Sequence, residues 1–249
     1  MAQSETERFT GFASRYDKGR PGYPPEVVDR ILDGLDVDAA ALKVADLGAG
    51  TGMSARLFTE RGARVFAIEP NAAMRAKGAA LPGIAWLDGT AEHTGLEPHS
   101  IDVAIAFQAF HWFDPGATFA EIERVLRPGG RAAVAFYERD ERDAFTKAYG
   151  DVIRRFATDD TEQKRMRALE AFESWQGWST VDKSVVAGEQ ILDAAGFDDR
   201  IASTSYLPHS GPQAKEVRVA MDAVFKEHAR NGRVRLVLQT VLVIAEPKR

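Results

Sequence analysis

Residues 44–52 read V-A-D-L-G-A-G-T-G, and the rest of the chain is organised around them. The largely apolar run 42–47 ends abruptly in glycines at 48, 50 and 52, and helix-forming residues resume at Met53. Strand, glycine loop and helix in that order begin a βαβ unit. Glycine lets the backbone turn tightly and approach a ligand that a Cβ would obstruct. The following helix aims its free N–H groups and the positive end of its dipole at the same place. Asp46, Gly48, Ala49, Gly50, Thr51 and Gly52 are therefore candidates for a cofactor loop. The dinucleotide fingerprint G-x-G-x-x-G fails, because its third glycine would fall on Met53. No G-x-x-x-x-G-K-[ST] occurs, which excludes a P-loop.

What remains, D-x-G-x-G-x-G, resembles motif I of the Rossmann-like (class I) S-adenosylmethionine-dependent methyltransferases. The next elements fit a βαβ continuation. A helix runs to Arg61, Gly62 caps it, and residues 63–68 form a second strand ending in Glu69-Pro70-Asn71. A carboxylate at that strand end accepts both hydroxyls of a ribose, since it offers two acceptor oxygens; a solvated strand-end charge is the plainer alternative. Pro70 adjoins it, Asn71 caps the next helix, and Met74 on that helix is placed to pack on an adenine face.

Residues 83–88 read as a third strand, followed by Gly89-Thr90-Ala91-Glu92. The tract resembles the family's motif III, which implies an adenine site at Asp88, Gly89, Thr90 and Ala91. Residues 101–107, I-D-V-A-I-A-F, are apolar enough to be buried on both faces, as parallel strands are. They lead into Gln108, Ala109, Phe110, His111, Trp112, Phe113 and Asp114, at the carboxyl edge of the sheet where α/β ligands bind. The H-W-F-D segment is similar to that of the type 11 and trans-aconitate methyltransferase-like group, as is E-x-x-R-V-L-R-P-G-G before the fifth strand at 131–137. Gln108 is assigned to the cofactor, and Phe110, His111 and Trp112 to the acceptor. His111 is the candidate catalytic residue, because imidazole titrates near neutrality; orienting the loop is the competing role.

The N-terminal stretch with Y-D and R-P-G-Y-P resembles the arm of the same group. It is expected to act as a lid over residues 1–23, bringing Tyr16, Arg20 and Tyr23 over the pocket; a packing arm is the alternative. Residues 140–183 leave the strand–helix alternation and are expected to form a helical, substrate-facing insertion, with Trp175 and Trp178 as either acceptor wall or core. A helix is expected over 190–197, a sixth strand near 201–207, a helix near 214–230 and a closing strand over 234–245. The whole, 1–249, reads as one α/β domain: a Rossmann-like, seven-stranded, mostly parallel sheet with helices on both faces and a helical insertion after the fifth strand.

Composition bounds the function. With 249 residues, 45% hydrophobic and 28% charged, the chain has an ordinary globular profile. A net charge of -5 gives no general basic face for nucleic acid, and no N-P-P-Y-type tetrad follows the fourth strand. The absence of cysteine removes disulfides and thiolate chemistry, and the five histidines show no H-x-x-x-H spacing, so no metal is expected. Neither a signal-like N-terminus nor a membrane-length apolar run is present, and a cytoplasmic location is the expectation. The resemblance implies S-adenosyl-L-methionine as cofactor and a small-molecule acceptor methylated at O, N or carboxylate. Two other classes stay open: a nicotinamide-dependent oxidoreductase and a non-catalytic cofactor-binding protein.

Overall fold

In the computed structural model, which describes residues 19–38 and 40–248, seven strands form one sheet in the order β3-β2-β1-β4-β5-β7-β6. β1 (Lys43–Leu47), β2 (Arg64–Ile68), β3 (Ile84–Leu87), β4 (Ile101–Phe107) and β5 (Leu126–Arg139) run parallel. β7 (Arg233–Pro247) returns antiparallel against β5, and β6 (Trp178–Asp193) pairs antiparallel with β7 at the sheet edge. The strand order reverses between β1 and β4, and a doubly wound sheet opens its ligand crevice at that switch point. The sheet is therefore Rossmann-like and mostly parallel, as the alternation of the sequence implies.

Helices cover both faces because the central strands are apolar on both. α1 (Pro25–Leu32) buries Val27, Val28 and Ile31, while α2 (Met53–Thr59) buries Ala55 and Phe58, all in one cluster. Pro25 suits the first turn of α1, where a missing N–H costs nothing. A second cluster gathers Phe119 and Ile122 of α4 (Pro115–Val125) with Leu169 and Phe172 of α6 (Thr161–Ser174). A third lies under α5 (Ala144–Phe156), α7 (Ala194–Ala202) and α8 (Gly211–His228), against the first half of β7. Side-chain caps start several helices: Asn71 accepts from Ala73 and Met74 N–H at α3 (Ala72–Gly78), and Asp114 accepts from Ala117 N–H at α4. Asn231 and Gly232, both at positive φ, make the tight turn into β7.

The expected sixth strand is displaced. Residues 201 and 202 end α7 and 203–207 turn, whereas β6 occupies 178–193. The expected helix over 190–197 begins only at Ala194, where the Asp193 carboxylate accepts the Gly196 N–H at 2.8 Å. The reason is physical. β6 buries only Trp178, Val186 and Leu192 and is otherwise exposed or half-buried on both faces, so its side chains lack the apolar alternation that marks a half-buried strand. The insertion after β5 is helical through α5 and α6, and its last residues, 178–183, belong to β6. Among the described residues no helix is long and apolar enough to cross a membrane.

Candidate active site

A cavity of about 410 Å³ opens at the carboxyl ends of β1, β2 and β4, within the roughly 300–1,000 Å³ of small-molecule sites. Gly48, Ala49, Gly50 and Thr51 form its floor. Gly50 has φ +58 and open space where a Cβ would stand, so its backbone faces the cavity bare. Gly48, at φ +67, has another constraint: a Cβ there would lie 2.8 Å from Ala109 Cβ. The loop is thus locked against the β4 end on one side and left open on the other.

Glu69, at the end of β2, is buried beside this loop. Its Oε2 accepts the Gly50 N–H at 2.9 Å and its Oε1 accepts the Asn71 N–H at 2.8 Å. Each carboxylate oxygen keeps acceptor capacity for a ligand hydroxyl. Burial raises the Glu69 pKa, opposed by the Asn71 and Gly50 N–H groups and by Arg75. Pro70, Met74, Thr90 and Ala91 continue this wall, which is apolar where a flat ring would lie.

Gln108 closes the end of β4. Its backbone sits at φ +54, an uncommon conformation for a residue with a side chain, and its N–H donates to Ala135 O at 2.8 Å. The side-chain Nε2 is buried at the cavity wall and has no hydrogen-bond partner among the described residues. A buried amide donor left unmade costs about 1–3 kcal/mol, so such a group at a cavity is placed to donate to a ligand acceptor or a water. Arg20, Tyr23, Trp112 and Tyr137 complete the mouth. Tyr23 stacks on Tyr137 at 4.6 Å, Tyr137 O–H donates to Pro21 O at 2.6 Å, and Arg20 donates to Ser203 O at 3.2 Å. The described part of the arm, residues 19–23, is thus tied across the ends of β5 and α7. Tyr16 lies outside the described residues.

Several expected site residues sit elsewhere. Asp46 is fully buried beneath the loop and accepts the Ser54 O–H at 2.6 Å; Ser54, not Asp46, reaches the cavity. Burial pushes the Asp46 pKa up to about 7, against the pull of the Ser54 hydrogen bond. Gly52 is absent from the wall, and a Cβ there would meet Leu81 at 2.9 Å and the Trp86 ring at 3.1 Å. It serves helix packing. Asp88 pairs with Arg75 at 2.9 Å and its side chain is 74% exposed, so it does not face the cavity, and Gly89 does not line it either. Phe110 is core, packed on Phe113, Phe119 and Phe172.

Trp178 donates its indole N–H to Phe172 O at 2.7 Å as a core residue, and the partly buried Trp175 stacks on Phe119 at 4.7 Å against that core. His111 is also withdrawn from the wall, its ring 4.5 Å from Trp112 and 5.6 Å from Phe136. Burial, then the positive charges of Arg165, Arg20 and Lys164, depress its pKa to about 3. Its Nδ1 is buried without a hydrogen-bond partner among the described residues, and the ring is absent from the cavity wall. Ser54, Asn71 and Tyr137 line the cavity without having been singled out as ligand contacts from the sequence. Tyr137 was legible in principle, since it lies near the carboxyl end of β5, at the ligand-binding edge of the sheet. Among the described residues no cluster of His, Asp or Glu is arranged to hold a metal ion.

Comparison with known proteins places this geometry. Residues 45–134, which carry the loop, Glu69 and Gln108, match the family model of the methyltransferase domain. The chain is 38% identical over 208 residues to an uncharacterised methyltransferase of Mycobacterium tuberculosis, covering 83% of this chain and 80% of that one. It is 28% identical to a methyltransferase-like protein of Schizosaccharomyces pombe, over 98% of this chain and 97% of that one. Its fold is similar to that of a proposed type II methyltransferase from Anaeromyxobacter dehalogenans, with a TM-score of 0.69 at 23% identity over 91% and 96% of the two chains. The chain belongs to the S-adenosylmethionine-dependent methyltransferases.

Proposed function

We propose that the cavity holds S-adenosylmethionine with its ribose on Glu69, and that the chain methylates a small-molecule acceptor of the kind used by the type 11 and trans-aconitate-like group. The observation that carries the reading is the pairing of Glu69 with the bare backbone of Gly50 on one wall and the unpartnered Gln108 amide on the opposite one. When bound, the cofactor supplies an already activated methyl group on a positively charged sulfur. The protein's task is then position. Glu69 fixes the sugar, Met74 and Ala91 offer apolar surface to the base, and the loop at 48–51 receives the amino-acid end. Gln108 and the aromatic mouth orient what lies between. Holding two reactants in line contributes roughly 7–11 kcal/mol in favourable cases, which suits a site built of walls more than of acids and bases.

The acceptor enters by the mouth formed by Arg20, Tyr23, Trp112 and Tyr137. With His111 held neutral behind Trp112, no imidazole proton acceptor reaches the cavity, and an acceptor that attacks through an already deprotonated oxygen or a free amine fits best. The mouth accommodates a compact molecule and the chain carries no net positive charge, which supports a metabolite over a nucleic acid. The test is turnover of radiolabelled methyl from S-adenosylmethionine onto a panel of carboxylic acids, phenols and amines. Transfer to a member of that panel is expected. Transfer confined to nucleic acid or protein would overturn the small-molecule assignment.

A further inference from the structure

β6 is the outer strand of the sheet and is sixteen residues long, whereas the opposite edge strand, β3, has four. An exposed edge of that length presents a row of backbone N–H and C=O groups ready to pair with another chain. The odd-numbered side chains of 181–193 all stand exposed on one face, beyond the register shift between Trp178 and Thr180. Val181, Val185 and Ile191, three of the five most exposed large apolar side chains among the described residues, lie in that single row at 41%, 52% and 52% exposure.

The row is self-complementary, and we propose that β6 pairs antiparallel with β6 of a second copy about a two-fold axis through Val186. In that register Lys183 stands opposite Glu189 of the second copy, Val181 opposite Ile191 and Val185 opposite Ala187. Each match occurs twice by symmetry, and every odd residue meets an odd residue, so the exposed faces coincide. The charges continue outward with alternating sign. Lys183 Nζ already meets Glu173 at 2.6 Å, and Arg235 reaches Glu189 at 3.5 Å. Pairing therefore lines up Glu173, Lys183, Glu189 and Arg235 across the junction. Moving the axis to Gly188 would set Lys183 against Asp193, but it would also face Ala187 with Glu189 and leave Val181 beyond the strand end. The register through Val186 is the one in which apolar meets apolar and opposite charges meet. Two seven-stranded sheets would join into one continuous sheet, with β5 and β7 of each copy lying between the junction and the strand ends of β1, β2 and β4.

The experiment is sedimentation analysis of the full chain across about 1–100 µM, a range that resolves micromolar self-association. A reversible dimer is expected. Lys183→Glu and Glu189→Lys each place like charges opposite one another twice, and each is expected to weaken the dimer about tenfold or more. The double exchange Lys183→Glu with Glu189→Lys restores the pairing and is expected to bring the affinity back to within about threefold. Val185→Asp, at an exposed position that leaves the core intact, is a further dissociating variant should a charge reversal fold poorly. A monomer at every concentration, or single reversals without effect, would overturn the proposal. So would a chain that dimerises only after deletion of residues 1–18, since the edge would then belong to that segment.

Discussion

Glu69 carries two loads, and glutamine and alanine separate them. In the structure its two oxygens accept the N–H groups of Gly50 and Asn71 at 2.9 and 2.8 Å, pinning the loop to the turn after β2. Glutamine keeps one acceptor oxygen and sets an amide donor against a backbone donor. One buried N–H loses its partner at a cost of about 1–3 kcal/mol, partly offset by removing a carboxylate that burial already disfavours. For a domain of this size about 1 kcal/mol moves Tm by roughly 2–4 °C, so a modest fall is expected. Binding should suffer more. Each ribose hydroxyl on a charged acceptor contributes about 1.5–3 kcal/mol, so Glu69→Gln is expected to weaken S-adenosylhomocysteine roughly 10- to 150-fold. Glu69→Ala loses both bonds and is expected to weaken it about 10²- to 10⁴-fold. Titration calorimetry on variants whose circular dichroism matches the parent reads this directly. A folded Glu69→Ala protein that binds S-adenosylhomocysteine within about threefold of the parent would refute the ribose assignment.

Gly50→Val is expected to fold, with a loss of about 1–2 kcal/mol for its positive φ, and to lose cofactor binding because its side chain fills the open space. Gly48→Val should instead lower Tm sharply, since its Cβ would overlap Ala109; equal melting temperatures for the two variants would contradict this division. Trp178→Ala removes a buried indole and its hydrogen bond to Phe172, and urea unfolding should show a loss of about 3–5 kcal/mol, whereas Trp112→Ala at the cavity mouth should chiefly raise the acceptor KM. His111 has its folded pKa depressed to about 3, so as pH falls below about 6.5 the unfolded chain takes up a proton that the folded one refuses. The His111 contribution therefore erodes stability by up to about 1.4 kcal/mol per pH unit below that point. Asp46 and Glu69, with raised pKa values, act in the opposite sense. The difference between the parent and His111→Gln in urea unfolding at pH 7.5, 6 and 5 isolates the histidine, and identical pH slopes would show that it is not buried neutral.

The cofactor half of the molecule was legible because its signals are backbone signals. A glycine loop after an apolar strand, an acid at the next strand end and an aromatic tract after β4 depend on spacing along the chain. The structure places Gly48, Gly50, Glu69 and Gln108, expected from those cues, on one cavity with Thr90, expected from the resemblance to motif III. What failed depended on side-chain direction. Asp88 and Gly89 follow β3 as an adenine site would, yet Arg75 draws the Asp88 carboxylate outward. His111 and Trp112 are neighbours in a short 3₁₀ turn, and the turn sends one ring to the cavity and the other behind it. Trp175 and Trp178 read as either wall or core, with core the favoured role, and Phe119 and Phe172 pack against them. β6 escaped because only Trp178, Val186 and Leu192 of it are buried while Val181, Val185 and Ile191 stand exposed, so it carries no clear hydrophobic period. The same exposure makes it the surface where a second copy fits.

The central claim is that one cavity holds the cofactor between Glu69 and Gln108. A crystal structure of the chain with S-adenosylhomocysteine tests it most directly. The ribose hydroxyls should lie within hydrogen-bond distance of the Glu69 carboxylate, with the amino-acid end over Gly48 to Gly50 and the Gln108 amide donating to the ligand. The sulfur should face the mouth formed by Arg20, Tyr23, Trp112 and Tyr137. A ligand seated elsewhere, or one that leaves Glu69 and Gln108 untouched, would contradict the account.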